Sequence, residues 1–263
     1  NVRSRRKRQM CIRDRPFTKK KTEKKTGNVE FVFIPKVGQE FLTLGDTLIT
    51  PAGEKMVIND FKFFVSEIGL SLLDASEKAI SPMENDSNQV GIYLVDFSEE
   101  NVHLNENGRH GHGFKFTCKA PVGEYADVRY QIGVPRQYNL ADISTNPFPV
   151  NGKNGMYWSW NSGFKFLVIN GNSPAAQGTP LHLSIGLGYR MLDYNFRSML
   201  LAESREKIKV EEEKITVLTF EFNINSFLTN ADGSYYSFAP STPNTAQVHG
   251  GQMSDVLLSL IHI

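Results

Sequence analysis

The sequence predicts an all-β domain, an antiparallel β-sandwich with long loops. Apolar residues recur at every second position in many short segments, which are rich in aromatic and β-branched side chains. This pattern is typical of half-buried strands. Long polar segments rich in Gly, Pro and Asn separate the strands, at residues 82–90, 104–113, 135–156, 170–180 and 229–253. Many strands joined by long polar loops favour an antiparallel sandwich.

The predicted strands cover residues 29–34, 56–73, 91–97, 114–118, 125–134, 164–169, 181–185 and 215–227. Proline cannot donate to a strand ladder, so the first strand is predicted to end at Pro35 and the fifth at Gly133 and Pro135. Residues 199–213 leave two alternatives open. Their Glu, Lys and Leu content suits a helix, whereas the alternation of Ile208 and Val210 with charged residues suits an exposed hairpin.

Strict alternation also assigns faces within the longest predicted strands. In the second strand it places Val57, Asn59, Phe61 and Phe63 on one side and Ile58, Lys62 and Phe64 on the other. In the last strand it places Leu218, Phe220, Phe222 and Ile224 on one face.

The two ends of the chain are predicted to derive from one short DNA element. Residues 258–263 back-translate as CTG TCT CTT ATA CAC ATC, and the reverse complement, read one base on, encodes the Met-Cys-Ile-Arg-Asp-Arg of residues 10–15. A sequencing adapter of the transposon type explains both ends. We therefore expect residues 1–16 and 258–263 to be artefactual. We expect residues 17–28 to be a basic linker and residues 29–257 one domain with a truncated C-terminus. Any signal peptide or lipid anchor would be lost with the native N-terminus.

Charge gives no support to a nucleic-acid partner. The net charge of +1 arises from 29 basic and 28 acidic residues, but residues 1–15 alone hold seven basic residues and one acidic residue. The remainder, with 22 basic and 27 acidic residues, carries a net charge of −5. The lysines between Lys19 and Lys25 are interrupted by Thr22 and Glu23, which favours a solvated linker over a binding arm.

Other sequence features restrict the class of protein further. Cys118 is the only cysteine left when Cys11 is assigned to the artefactual end, which excludes a disulfide framework and a CxxC site. The sequence contains no run of 18 apolar residues, so it predicts no membrane-spanning helix. No nucleophile-elbow, zinc-protease, P-loop or dinucleotide motif occurs in a fitting context. The sequence therefore predicts a binding protein rather than an enzyme.

The densest aromatic segment is GMYWSWNSGFKF, residues 155–166, which holds both tryptophans of the chain. Strand geometry would place Trp158 and Trp160 on the same face. From composition alone they are interpreted as core aromatics or as a platform that stacks on sugars.

Three segments together resemble the MbnP-like copper-binding proteins. They are residues 58–70 (INDFKFFVSEIGL), residues 121–135 (PVGEYADVRYQIGVP) and the tryptophan segment with its GMYWSW and GFKF runs. Their order and spacing are also similar to those of the family, and the resemblance covers roughly residues 29 to 255. The tryptophan segment is its most specific part.

The resemblance implies an exported, β-rich protein, periplasmic or at the cell surface, that binds one copper ion through histidines for metal acquisition or storage. It also implies a partner, a di-haem protein resembling cytochrome c peroxidases (MbnH-type), that oxidises a tryptophan to kynurenine. Trp158 and Trp160 are the two candidates. Indole has no lone pair free for a metal, whereas kynurenine offers an aryl amine and a ketone.

Copper accepts imidazole nitrogen well, so the candidate ligands are His182, His249, His110 and His112. His182 lies two residues before Ser184, close to a family histidine position, and would share its strand face. His110 and His112 form the only close histidine pair, in a predicted polar loop. No histidine occurs in residues 33–38, where the family often has one. A second hypothesis therefore stays open: a metal-free binding or adhesion module that recognises glycan or protein.

Overall fold

The computed structural model describes residues 25–72, 77–79, 81–82, 90–98, 102–104, 110–159, 163–187, 198–200, 207–229, 232–240 and 245–249. Both predicted artefactual ends lie outside these residues. The strands are β1 Thr26–Val37, β2 Glu40–Phe41, β3 Thr47–Ile49, β4 Lys55–Ser71, β5 Glu77–Ala79, β6 Ser81–Pro82, β7 Tyr93–Asp96, β8 Val102–Leu104, β9 His110–His112, β10 Phe114–Pro121, β11 Gly123–Tyr125, β12 Asp127–Ile132, β13 Tyr157–Trp158, β14 Gly163–Asn172, β15 Leu181–Leu187, β16 Ser198–Leu200, β17 Ile208–Val210, β18 Ile215–Asn223 and β19 Gln247–His249. Two single-turn helices, α1 Arg136–Asn139 and α2 Ile224–Phe227, and two 3-10 turns, Ile143–Thr145 and Pro174–Ala176, complete the elements.

Two sheets pack face to face, which confirms the predicted all-β sandwich. The first has the order β18-β1-β10-β6, with β2 also on β1. The second has the order β16-β12-β4-β14-β15-β19, with β3, β5 and β7 on β4 and β13 on β14. Two short antiparallel pairs, β8 with β9 and β11 with β17, lie apart from these sheets. Most pairs are antiparallel, but β1 with β18 and β15 with β19 are parallel, so both sheets are mixed.

An aromatic cluster fills the space between the sheets. Phe33 of β1 is fully buried, with its ring centroid 5.0 Å from that of Phe220, 5.6 Å from that of Phe63 and 5.9 Å from that of Tyr130. These partners come from β18, β4 and β12, so one side chain contacts both layers. The burial of Phe220, Phe222 and Ile224 confirms the face predicted for the last strand, although Ile224 already belongs to α2.

Bulges break the alternation predicted for residues 56–73. Opposite β14, Ile58 pairs with Gly171 but Asp60 pairs with Asn170, so Asn59 is an extra residue in β4. The phase therefore changes there, and Ile58 faces the same core as Phe61 and Phe63. The prediction that Ile58 lies on the opposite side from Phe61 was wrong, because a bulge inserts one residue without a cross-strand partner.

The first strand continues through Pro35, where it was predicted to end. By this point β1 has left β10, whose last partner is Phe33, while the parallel ladder with β18 continues. The Pro35 carbonyl accepts a hydrogen bond from the Leu42 amide. The amide and carbonyl of one strand residue point to the same side, so the missing donor faces away from β18 and breaks no bond of that ladder.

Several predicted loop boundaries also differ from the structure. Residues 110–112, predicted as loop, form β9, and Asn170, also predicted as loop, belongs to β14. Of residues 199–213, Ile208 and Val210 are buried in β17 while Lys209 is exposed, which favours the hairpin alternative in the part described. No helix in the described part of the chain is long and apolar enough to cross a membrane.

A second apolar cluster lies on the outward face of the second sheet. The loop after β12 folds back over this face and buries Val134, Val150 and Met156 against Phe64 of β4 and Phe164 of β14. Gly133 begins the loop with a φ of 132°, and a Cβ there would lie 2.7 Å from the Phe166 ring. A side chain at position 133 would be strained both by this backbone conformation and by the contact with Phe166.

Candidate metal centre

The outward face of the second sheet becomes polar beyond this apolar cluster. Strand register places Asp60 of β4 opposite Asn170 of β14, and Asn170 opposite His182 of β15. On the next strand, β19, His249 lies opposite Ser184. The two leucines that flank His182 along β15 belong to the core, so strand alternation directs the His182 side chain outward.

The structure brings His182 and His249 together. Their ring centroids are 4.8 Å apart and their planes are inclined by 39°. The parallel ladder joins β19 to β15, and two further hydrogen bonds support it. The His182 amide donates to the Ala246 carbonyl at 2.8 Å, and the Ser184 hydroxyl donates to the Val248 carbonyl at 2.8 Å. The backbone of both strands therefore fixes the spacing of the two imidazoles.

The surroundings keep His182 in its neutral form. Burial, the neighbouring His249 and the charge of Lys165 together lower the pKa of His182 to about 4. Burial also lowers the pKa of Lys165, although Asp60 acts in the opposite direction. At neutral pH the His182 imidazole is thus unprotonated, which is the form that binds a metal ion.

A short polar network supports His182 from the side away from the core. Its Nδ1 lies 2.5 Å from the Asn170 Oδ1, and the Asn170 Nδ2 donates to Asp60 at 3.0 Å. Lys62 lies between two carboxylates, 3.3 Å from Asp60 and 3.1 Å from Asp96. None of these four supporting residues was predicted from the sequence. Polar residues at alternate strand positions look like an ordinary solvated face, and the register that joins them is not visible in one sequence.

Trp158 is buried at the other end of the same face. It is 3 % exposed, and its position in β13 pairs with Gly163 of β14. A Cβ added at Gly186 would lie 3.0 Å from the Trp158 ring, so the indole packs directly over this glycine. Gly186 follows His182 by four residues on the same strand face, about 13 Å at the usual rise of a strand. A buried indole is not available as a platform for sugars.

The structure places the other two predicted histidines on a different pair of strands. His110 and His112 occupy β9, opposite Leu104 and Val102 of β8, and β9 leads directly into β10 of the first sheet. His182 is on the outward face of the second sheet, whereas β9 pairs with β8 in a separate two-stranded sheet. Trp160 lies outside the described residues, and its shared face with Trp158 stays a prediction.

The donor chemistry of the pair fits a copper ion. Imidazole nitrogen suits copper, and two imidazole rings side by side offer two such donors. Among the residues that the structure describes, no group of three or more His, Cys, Asp or Glu side chains is placed to hold a metal ion. His182 and His249 are therefore the best-placed candidates in the described part of the chain.

Comparisons with known proteins agree with this fold. The profile of the family described as MbnP matches residues 26–246. Among solved structures, MbnP from Methylosinus trichosporium is similar, with a TM-score of 0.50 and 16% sequence identity over 77% of this chain and 78% of that chain. At this identity the structural likeness concerns the fold alone. A search of curated proteins gives no match.

Proposed function

Because this chain belongs to the MbnP family, we propose that it is a copper-binding protein and that His182 and His249 are its copper ligands. The observation that carries the proposal is the contact between the two rings, with centroids 4.8 Å apart on two paired strands. The role would be to hold copper for acquisition or storage, without turnover of a substrate.

The residues of this chain would contribute in three ways. The two imidazoles would bind the ion, and their spacing would be set by the ladder between β15 and β19. Burial would keep His182 free of a competing proton. This arrangement would raise the affinity for the metal, because a site that is already formed loses little conformational entropy on binding.

We expect wild-type protein to bind one copper ion per chain in an anaerobic Cu(I) titration against a chromogenic chelator. Loss of an outer partner of a metal ligand costs about 10- to 100-fold in affinity, so loss of a ligand itself should cost at least about 100-fold. His182→Ala and His249→Ala should each show this loss. The double variant His110→Ala with His112→Ala is the matched control and should bind as wild type does.

Two results of this titration would contradict the proposal. One is unchanged affinity in both His182→Ala and His249→Ala. The other is loss of binding only in the control variant, which would assign copper to the hairpin of β8 and β9. Circular dichroism of each variant would verify that the fold is retained, since both ligands sit on strands of the second sheet.

We further propose that Trp158 or Trp160 is oxidised to kynurenine by a di-haem partner resembling cytochrome c peroxidases, with hydrogen peroxide as the oxidant. Two peroxide molecules would each supply one oxygen atom to cleave the indole C2–C3 bond and leave as water, and hydrolysis would then release C2 as formate. Support comes from the resemblance of the tryptophan segment and from the position of Trp158 over the strand that carries His182. Intact-mass analysis after co-expression with such a partner should show a gain of one oxygen and a loss of one carbon. Trp158→Phe and Trp160→Phe would identify the residue. An unchanged mass in wild-type protein would contradict this step.

A further inference from the structure

We infer that Asp60 and Asn170 are positioning residues that fix the tautomer of His182 and so decide which of its nitrogens is available to a metal. Within the copper site, this inference rests on the proposed function. The tautomer itself does not, because it is a property of the metal-free protein. The observation is a continuous chain of hydrogen bonds across three neighbouring strands, from Asp60 to Asn170 to His182.

The chain starts from a carboxylate that cannot donate. Lys62 lies 3.3 Å from one oxygen of Asp60, while the other oxygen accepts from Asn170 at 3.0 Å. An ionised carboxylate is an acceptor only. The Asp60 side chain therefore requires that Asn170 present its NH₂ group, and a rotated amide would bring two acceptors together.

This requirement fixes the opposite end of the amide. With its NH₂ group on Asp60, Asn170 can offer only its carbonyl oxygen to His182. The Asn170 Oδ1 lies 2.5 Å from the His182 Nδ1, and an amide oxygen can only accept. The hydrogen of a neutral imidazole must then reside on Nδ1.

The consequence concerns the second ring nitrogen. A neutral imidazole carries one hydrogen, so Nε2 keeps its lone pair when Nδ1 donates. His182 would therefore bind copper through Nε2. Ligating histidines are commonly oriented by a hydrogen bond from the other ring nitrogen, which also raises ligand basicity.

Asp60→Asn tests this chain with minimal change in shape. An amide at position 60 can donate or accept, so Asn170 is free to rotate and His182 is free to change tautomer. Asp96→Asn is the matched control: it removes the same charge from the other side of Lys62, but Asp96 bonds to Lys62 and Ser98 rather than to Asn170. A purely electrostatic or structural effect would appear in both variants.

The measurement is a long-range ¹H–¹⁵N NMR correlation on histidine-labelled, metal-free protein at pH 7. His182→Ala serves to assign the signals. We expect the Nδ1–H tautomer in wild type and in Asp96→Asn, and a mixture of tautomers in Asp60→Asn. Wild-type protein with the hydrogen on Nε2, or equal responses in the two variants, would overturn the inference.

Copper titration then separates the inference from the proposed function. Asp60→Asn should weaken Cu(I) binding by about 10- to 100-fold while Asp96→Asn leaves it within about threefold, as expected for loss of an outer partner. If the tautomers respond as expected but wild-type protein binds no copper, the copper proposal fails and the positioning chain stands. If copper binds through the Nδ1 of His182, the positioning chain fails and the copper proposal stands.

Discussion

Gly171→Ala is expected to destabilise the protein by at least about 3 kcal/mol, the upper end of the range for overpacking. A Cβ at this position would lie 2.0 Å from the carbonyl oxygen of Val57 and 3.0 Å from its carbon. Both atoms belong to the backbone of β4, so no side-chain rotation can relieve the contact. The ladder between β14 and β4 would have to open, and Asn170, the neighbour of Gly171, would lose its place beside Asp60.

Gly123→Ala is the matched control for this substitution. Neither glycine has a positive φ, so the two differ in available space rather than in backbone conformation. At Gly123 the nearest atoms to an added Cβ belong to Tyr125, at 3.5 Å or more, which is ordinary van der Waals contact. We expect a change within about 0.5 kcal/mol. Urea unfolding of both variants measures the difference, and equal stabilities would refute the steric argument.

Phe33→Ala is expected to cost about 3–5 kcal/mol in the free energy of unfolding, the usual range for a buried Phe. The ring is fully buried and lies within 6.2 Å, centroid to centroid, of the rings of Phe63, Phe116, Tyr130, Phe220 and Phe222. Its removal would leave a cavity between the two sheets that rigid strands cannot close.

Val217→Ala on β18 provides the comparison. Val217 is 54 % exposed and lies on the outward face of the first sheet, so its truncation should cost no more than about 0.5 kcal/mol. Chemical denaturation followed by tryptophan fluorescence gives both values. Similar losses for Phe33→Ala and Val217→Ala would show that the aromatic cluster does not dominate the stability of the sandwich.

The sequence predicts the existence of most strands because period-two burial is a local property. Phe220 and Phe222 of β18, for example, are buried as their spacing indicates. Which residues of a strand face the core is harder to predict, because a bulge changes the alternation and its position depends on the partner strand. Glu67, with a φ of 49°, lies at a second bulge in β4, where Arg129 and Gln131 of β12 face Gly69 and Ser66. The alternation of apolar and polar residues along one strand does not predict such a shift in register.

For the candidate site, too, the sequence predicts the type of residue but not which residues lie close together. Metal chemistry identifies His182 and His249 as candidates, since imidazole is the usual nitrogen ligand of copper. Their proximity depends on the parallel pairing of β15 with β19, which joins positions such as Ser184 and Val248, 64 residues apart. The roles of Asp60 and Asn170 require the register of β4, β14 and β15 together. A single sequence, taken alone, does not contain that register.

The pairing of β1 with β18 has a consequence for the way the protein reaches its native state. Lys36 and Glu221, which form an ion pair across these strands, are 185 positions apart in the chain. Such a topology has a high contact order, so folding should take milliseconds to seconds rather than microseconds. During that time the apolar strand β1 lacks one of its neighbours, and the nascent chain is exposed to intermolecular strand pairing.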